Sequence, residues 1–396
     1  MAEDGGRRRE RRRTDGAKAA LRSHSHRHGD RKIEEAGDPS KGVDSISSLP
    51  DEILQSILSF IPTKIAIRTS ILSKRWRHVW SDTPSLSFHF VLHRPEADSI
   101  NKTLDRYTAR KMMCFRLCTS MIDYIPHIDR LSRVCIDQIL SGCPILESLK
   151  LYFCDELRVL DVRKSQSLRT LEIDRNIRVP GPTQIVAPQI HCLNLRNSQL
   201  PCTLVDVSSL TEASLYVCFS STKKLTADFL QYTFLKMLDK LQNVDKFTFG
   251  ANFLEILSLA ELSGVSFPSF KVKDLTFKTM VSQYVVPGLV RLLQNSPELK
   301  KLTVRTRKPG TTPERLIIDK YLELQGLNPD QWWSSEARVV DKVASFMELM
   351  LKRSKTLEKM VVKLEGYLER EHFEELLGMV PMLSHNNNNV SIVLSS

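Results

Sequence analysis

A six-residue phrase, apolar-x-x-apolar-x-apolar, recurs along this chain and restricts its fold more than any other feature. It appears at Leu146–Leu151, Leu157–Val162, Leu168–Ile173, Ile190–Leu195 and Leu210–Leu215, then more loosely at Val244–Phe249, Val272–Phe277 and Leu299–Val304. Leu357–Val362 is a more distant copy. The last three positions alternate in-out-in, as a short strand with one buried face requires. A repeated strand of this kind cannot bury its apolar side alone, so the copies are expected to stack as one curved parallel sheet. Their spacing is irregular, with helical inserts such as Leu225 to Leu241, so the connections on the convex side are uneven. The competing expectation is an unrelated α/β domain with buried strands. The phrase Leu140-Ser141-Gly142-Cys143-Pro144-Ile145-Leu146-Glu147-Ser148-Leu149 returns in altered form at Leu293–Leu302, which favours duplication within the chain.

Upstream lies a different pattern, running from Asp44 to Trp80. Leu49-Pro50 opens a helix, because proline fits a first turn and Asp51 and Glu52 place negative charge at its positive end. Ile53, Leu54, Ile57, Leu58 and Ile61 recur at helical spacing, and Pro62 stops the run. Thr63 suits the N-cap of a second helix carrying Ala66, Ile67, Ser70 and Ile71, and Ser73 the cap of a third. Trp76 and Trp80 stand four apart and share a face with Val79. A unit of roughly 40 residues rarely buries enough surface to fold alone. So wide an apolar stripe is therefore expected to complete its core against a partner. Packing on the downstream domain and a DNA-reading helix-turn-helix are the weaker alternatives.

The segment resembles an F-box of the plant type, nearly position for position, over about a tenth of the chain. That resemblance implies docking to the Skp adaptor of a ubiquitin ligase, and through it to cullin. By it, Leu49, Pro50, Ile53, Leu54, Ile57 and Trp76 match positions that contact the adaptor, and Trp80 one shared between helix packing and interface. The repeat phrase is the core of a leucine-rich repeat. Leu140–Leu149 looks like the unit common in plant F-box/leucine-rich-repeat proteins. The end of the chain resembles, less specifically, the FBD region that closes many of them. One departure stands out: Val91 to Leu140 has room for two repeats at most, where such proteins carry several. A shortened stack is expected to leave an uncovered hydrophobic edge at its start.

Composition narrows the remaining classes. The formal charge is +11, part of it in an arm without apolar runs whose densest stretch holds Arg7, Arg8, Arg9, Arg11, Arg12 and Arg13. The arm is expected to be disordered, its arginines a nuclear-signal candidate or simply a solvated tail. His24, His26 and His28 alternate there without another ligand nearby. The charged first residues do not look like a secretory signal, and no apolar run reaches the length of a membrane span. The eight cysteines form no CxxC pair and are expected to be reduced core thiols. No phosphate-cradling loop, nucleophile elbow or His-Glu-x-x-His motif occurs, and the adjacent His191 and Cys192 point to opposite faces of a strand.

The expected fold is α/β: a three-helix F-box, then an irregular leucine-rich-repeat solenoid with a parallel sheet, ending in an FBD-like region. The boundaries expected are 1–43 for the arm, 44–90 for the F-box, 91–145 for a linker with truncated first repeats, 146–305 for the repeats, 306–333 for a loop insertion and 334–396 for the C-terminal region. The expected function is substrate receptor of a Skp–cullin–F-box ubiquitin ligase in nucleus and/or cytoplasm, without catalysis, cofactor, metal or membrane. A nuclear scaffold or nucleic-acid binder is the alternative, although nucleic acid is the disfavoured partner. The residues after the buried leucines should form the substrate face: Lys150, Tyr152, Arg163, Asp174, Arg196, Tyr216, Lys278 and Arg305. That set leans basic, so an acidic or phosphorylated target segment is expected.

Overall fold

A computed structural model describes residues 46, 48–90, 97–107, 111–119, 136–154, 157–175, 184–196, 202–216, 234–306, 336–385 and 390–396. The arginine run of the N-terminal arm, the Thr306–Trp333 insertion beyond Thr306 itself, and the first half of the Leu225–Leu241 insert lie outside the described residues.

The unit from Leu49 onward begins with three short helices, α1 (Asp51–Leu58), α2 (Thr63–Arg68) and α3 (Trp76–Val79). Pro50 precedes α1, and its carbonyl accepts from the N–H groups of Ile53 and Leu54. Ser73 supports α3 as expected, its hydroxyl accepting from the Trp76 N–H at 3.4 Å. Thr63 is no cap: Pro62 holds that place, and Thr63 is buried in the first turn. Its hydroxyl accepts instead from the Ser87 N–H at 2.8 Å, in the strand that follows.

That strand is β1 (Ser85–Phe90), followed by α4 (Ala97–Arg106) and β2 (Cys114–Thr119). Then come β3 (Ser148–Tyr152), β4 (Val159–Asp161), β5 (Thr170–Asp174), β6 (Gln184–Val186), β7 (Cys192–Arg196), β8 (Thr203–Asp206) and β9 (Glu212–Tyr216). Among the described residues one 11-stranded sheet runs β1-β2-β3-β5-β7-β9-β10-β11-β12-β13-β14, every pair parallel. Its second half consists of β10 (Lys246–Gly250), β11 (Asp274–Lys278), β12 (Lys301–Arg305), β13 (Lys359–Lys363) and β14 (Ser391–Ser395). The solenoid is therefore longer at both ends than the repeat phrase indicates. β1 and β2 extend it at the start. At the other end β13 falls on the distant copy Leu357–Val362, and β14 extends the same sheet one strand beyond it.

The expected copy at Leu157–Val162 does not join this sheet. β4 pairs with β6, and β6 with β8, in a second parallel sheet of three strands. Chain length explains the split. Neighbouring main-sheet strands from β3 to β9 start about 20–22 residues apart, so each return crosses the back of the core in extended form. From β10 on they start about 27–28 residues apart or more, and the return coils. The helices there are α5 (Lys236–Asp239), α6 (Ala251–Leu262), α7 (Val286–Gln294), α8 (Val339–Arg353) and α9 (Arg370–His385).

One core runs behind the whole main sheet. Leu149 and Leu151 of β3 are buried, as are the corresponding pairs through Met360 and Val362 of β13. Phenylalanines fill the widest part, where Phe249 stacks on Phe253 with ring centroids 4.1 Å apart. The edge expected to be exposed by the short first repeats is covered. β2 pairs directly with β3, and α2 lies against β1. The Thr63 hydroxyl and the Tyr107 hydroxyl, which donates to the Thr83 carbonyl, tie the two layers together.

α6 and α7 approach closely through Gly288, whose N–H donates to Ser258 Oγ at 2.9 Å. A β-carbon there would lie 2.4 Å from Ser258 N and 2.6 Å from Leu254 O, both backbone atoms. We predict that Gly288→Ala lowers unfolding stability by about 1–3 kcal/mol in urea denaturation, because the helices must separate. An unchanged midpoint would show that this contact is loose.

Candidate functional site

Two surfaces stand out, one on the helices and one on the sheet. α1 buries Leu54 and Leu58 and turns Ile53 and Ile57 outward, 48% and 46% exposed. Leu54, Leu58, Ala66, Trp76, Val79 and Trp80 close into a small core of their own, with Leu49, Ile61 and Ile67 at its margin. Arg75 pins α3 to the start of α1, donating from Nε to Asp51 Oδ1 at 2.7 Å and from Nη2 to the Leu49 carbonyl. An exposed pair of this kind contributes under about 1 kcal/mol, so it orients more than it stabilises.

The positions matched by the resemblance fall into two groups in this chain. Leu54, Trp76 and Trp80 are buried within the chain itself, because a core this small needs its largest side chains to fill it. Of the seven positions taken from the resemblance, Pro50, Ile53 and Ile57 face solvent and Leu49 is half-buried. Beyond them the unit exposes Phe60 (86%), Ile65 and Leu72 (64%), which the spacing does not single out, and Ile71 (87%), expected on the second helix but placed in a 3-10 turn after α2 ends at Arg68. The available signal was length. A turn after an eight-residue helix and a single 3-10 turn after α2 cannot bury every apolar residue in Phe60–Leu72. Isolated exposed apolar residues are ordinary, but this is an unusual number of large ones for one small unit.

The second surface is the solvent-facing side of the main sheet. Its ladders are in strict register, so side chains form rows across the strands. One row, at the strands' C-terminal ends, carries Tyr152, Asp174, Arg196, Tyr216, Gly250, Lys278, Arg305 and Lys363. The structure thus brings together six of the eight expected substrate-face residues in this row, and Lys150 stands one row over on the same side. Arg163 is the exception. It follows β4 in the smaller sheet and clasps Asp161 there, Nη2 to Oδ2 at 2.6 Å, so it cannot share the face.

Around β3 to β7 the charges compensate one another. Glu172 is largely buried and receives Lys150 Nζ at 3.3 Å and, more distantly, Arg196 at 3.9 Å. Burial and the Glu172 carboxylate push the Tyr152 phenol up to about 12, and the Arg116 guanidinium lies 5.8 Å from its ring centre. Tyr216 stands between two cations, with Arg196 Cζ 5.7 Å and Lys278 Nζ 4.6 Å from its ring centre. Its ring leans over Gly250, where an added β-carbon would come within 3.2 Å of Tyr216 Cδ1.

The cysteines are only partly as expected. Among the described residues six are free, and only Cys154 and Cys202 are buried. Cys114, Cys118 and Cys192 are half-buried on the solvent-facing side, at strand positions that alternate with the core. Cys135 and Cys218 lie outside the described residues. Among the described residues no group of three His, Cys, Asp or Glu side chains is placed to hold a metal, and no helix is long and apolar enough to cross a membrane.

Comparison with known proteins bears on both surfaces. The F-box domain family matches residues 46–88, which takes in all three helices and runs into β1. Putative F-box/LRR-repeat protein At3g18150 of Arabidopsis thaliana is 49% identical, over 96% of this chain and 98% of its own length. The chain belongs to the F-box/LRR-repeat proteins. F-box/LRR-repeat protein At3g03360 of the same plant is 46% identical over 92% of each chain, and F-box/LRR-repeat protein At5g02910 is 43% identical over 90% of this chain and 96% of its own. The first alignment spans 461 positions, more than the 396 residues here, so that F-box/LRR-repeat relative carries segments with no counterpart in this chain.

The two classes of F-box side chain should separate on substitution. Leu54→Ala is expected to cost about 2–5 kcal/mol of stability. Ile57→Ala, half-exposed on the same helix, should change it by less than about 1 kcal/mol. Equal losses in chemical denaturation would place Ile57 inside the core.

Proposed function

We propose that this chain is the substrate-recognition subunit of a Skp–cullin–F-box ubiquitin ligase. In this role it acts as an adaptor, and transfer of ubiquitin is carried out by its partners. The observation that carries the proposal is the exposed apolar set Ile53, Ile57, Phe60, Ile65, Ile71 and Leu72 on an F-box whose own core is already complete. Such a surface is stable in water only at a cost that a protein partner removes. The solvent-facing rows of the sheet supply the second half of the device, a broad face for a target. The F-box is seated on the first strand by Thr63 and Ser87, so adaptor and target are held at a set separation. Catalysis then gains from proximity, through a raised effective concentration of target lysines near the ubiquitin carrier.

The test is co-purification with a Skp-type adaptor. A triple variant, Ile57→Ala, Phe60→Ala and Leu72→Ala, should fold with wild-type thermal stability and lose the adaptor. Retention of the adaptor at wild-type yield would refute the docking role of this surface. For localisation, replacing the six arginines of the N-terminal run with neutral residues should move a fluorescent fusion from nucleus toward cytoplasm while adaptor binding persists. An unchanged nuclear fraction would assign the run to a solvated tail.

A further inference from the structure

The two ends of the main-sheet strands differ in charge balance. At the N-terminal ends, Lys246 is matched by Glu212 and Lys301 by Asp274 at 2.7 Å on the neighbouring strand, and only Lys359 of β13 has no carboxylate partner among the described residues. At the C-terminal ends of β11, β12 and β13 the matching stops. Lys278, Arg305 and Lys363 stand at one register level, and none has a carboxylate partner among the described residues. Adjacent strands lie about 4.8 Å apart, so these three backbone positions span roughly 10 Å. Like charges so close repel, and Arg305 Nε is in addition buried with no hydrogen-bond partner among the described residues. The row continues into the Arg196–Tyr216–Lys278 stack. There the ring of Tyr216 occupies the space left by Gly250.

We infer that this half-row, from Tyr216 to Lys363, is the seat of an anionic peptide segment of the target. The inference rests on the receptor role proposed above and names the ligand chemistry of its sheet face. An extended peptide crossing the strands advances about 3.3 Å per residue, so acidic side chains two residues apart, about 6.6 Å, can reach successive cations with their flexible stems, and three residues span the whole row. Arg305 supplies a planar donor fork for a carboxylate or phosphate, and Lys278 and Lys363 flank it as point charges. Tyr216 forms the wall at one end and packs against the peptide's apolar neighbour. The charges around Glu172 are already matched, so the anionic part does not extend to β3.

The ligand's charge has two possible sources, a run of Asp and Glu or a phosphorylated residue, and the experiment separates them. Fluorescence anisotropy of the full chain would be recorded with three labelled decapeptides: Glu-rich, neutral Gln-rich, and Gln-rich with one phosphoserine. At least one anionic peptide should bind and the neutral one should not. Lys278→Gln, Arg305→Gln and Lys363→Gln together should weaken that binding at least tenfold. These side chains make no ion pairs among the described residues, so neutralising them breaks none of the observed salt bridges. Gly250→Val, which displaces the Tyr216 ring, should weaken it severalfold. Neutralising Lys240, Lys271 and Lys355, exposed lysines outside the row, should change it less than twofold.

Whichever anionic peptide depends on the row identifies the source of charge. Equal losses in the row and control variants would overturn the inference, as would no anionic binding at all. So would equally tight, row-dependent binding of an oligothymidine, which would make the face a general polyanion surface. Adaptor co-purification is scored on the same samples. Its absence in wild type sinks the receptor role and not the peptide site. A bound adaptor with no peptide sinks the site alone.

Discussion

Each main-sheet strand from β3 to β13 buries two apolar side chains behind the sheet, and its neighbours bury theirs at the same two levels. The unshifted parallel register, Leu149 beside Leu171, Leu171 beside Leu193 and onward, is the constraint on which everything else depends. It makes the core two continuous apolar columns. At about 25 cal/mol per Å² of apolar surface removed from water, no single strand is stable on its own, and each contributes by covering the next. The same register that aligns the buried columns aligns the solvent-facing residues into rows. A slip of one residue would turn leucines outward and lysines inward, so the core's demand for register is also what gives the open face a defined chemistry.

How much of this was legible depended on how directly a pattern maps to a single geometry. Period-two alternation behind a recurring apolar anchor specifies a strand and its inward face, and β3, β5, β7 and β9 to β13 fall where the phrase puts them. The phrase at Leu157–Val162 is as good as its neighbours, yet it lies in the other sheet. Strand character is local, whereas the choice of sheet is set by how many residues separate it from β3 and β5. That misplacement carried Arg163 with it, since a residue's face follows from its sheet. β1 went unread because Ser85–Phe90 follows directly on the helices and has no anchoring leucine three residues before the alternation.

The F-box shows a different limit. Its helical stripe is wide, and a stripe well over 100° across fits burial on either of two adjacent faces. Sequence spacing identifies Ile53, Leu54, Ile57 and Leu58 as apolar neighbours but does not rank them. The ranking comes from what fills the space opposite, Trp76 and Trp80, whose bulk sets Leu54 and Leu58 as the inner pair. Resemblance marks positions that matter to docking without saying whether a residue touches the partner or shapes the helix that does. Trp76 and Trp80 are buried within this chain and set the position of α1.

Shortening a solenoid need not expose it, and this chain shows why. The core columns are translationally repetitive, so removing whole repeats leaves a β2 edge and a β3 edge that fit each other as any two neighbours do. What cannot be removed is the cap. The first strand has an unpaired edge with backbone donors facing outward, and here one of them, Ser87 N–H, is satisfied by the hydroxyl of Thr63 from the F-box itself. The docking module therefore has a structural duty toward the sheet as well as an exposed face of its own. Because the same α2 both closes the solenoid and holds the apolar surface, the separation between the two surfaces is set by packing rather than by a linker. A change in repeat number would then alter the length of the target face without moving the F-box from the strand it caps.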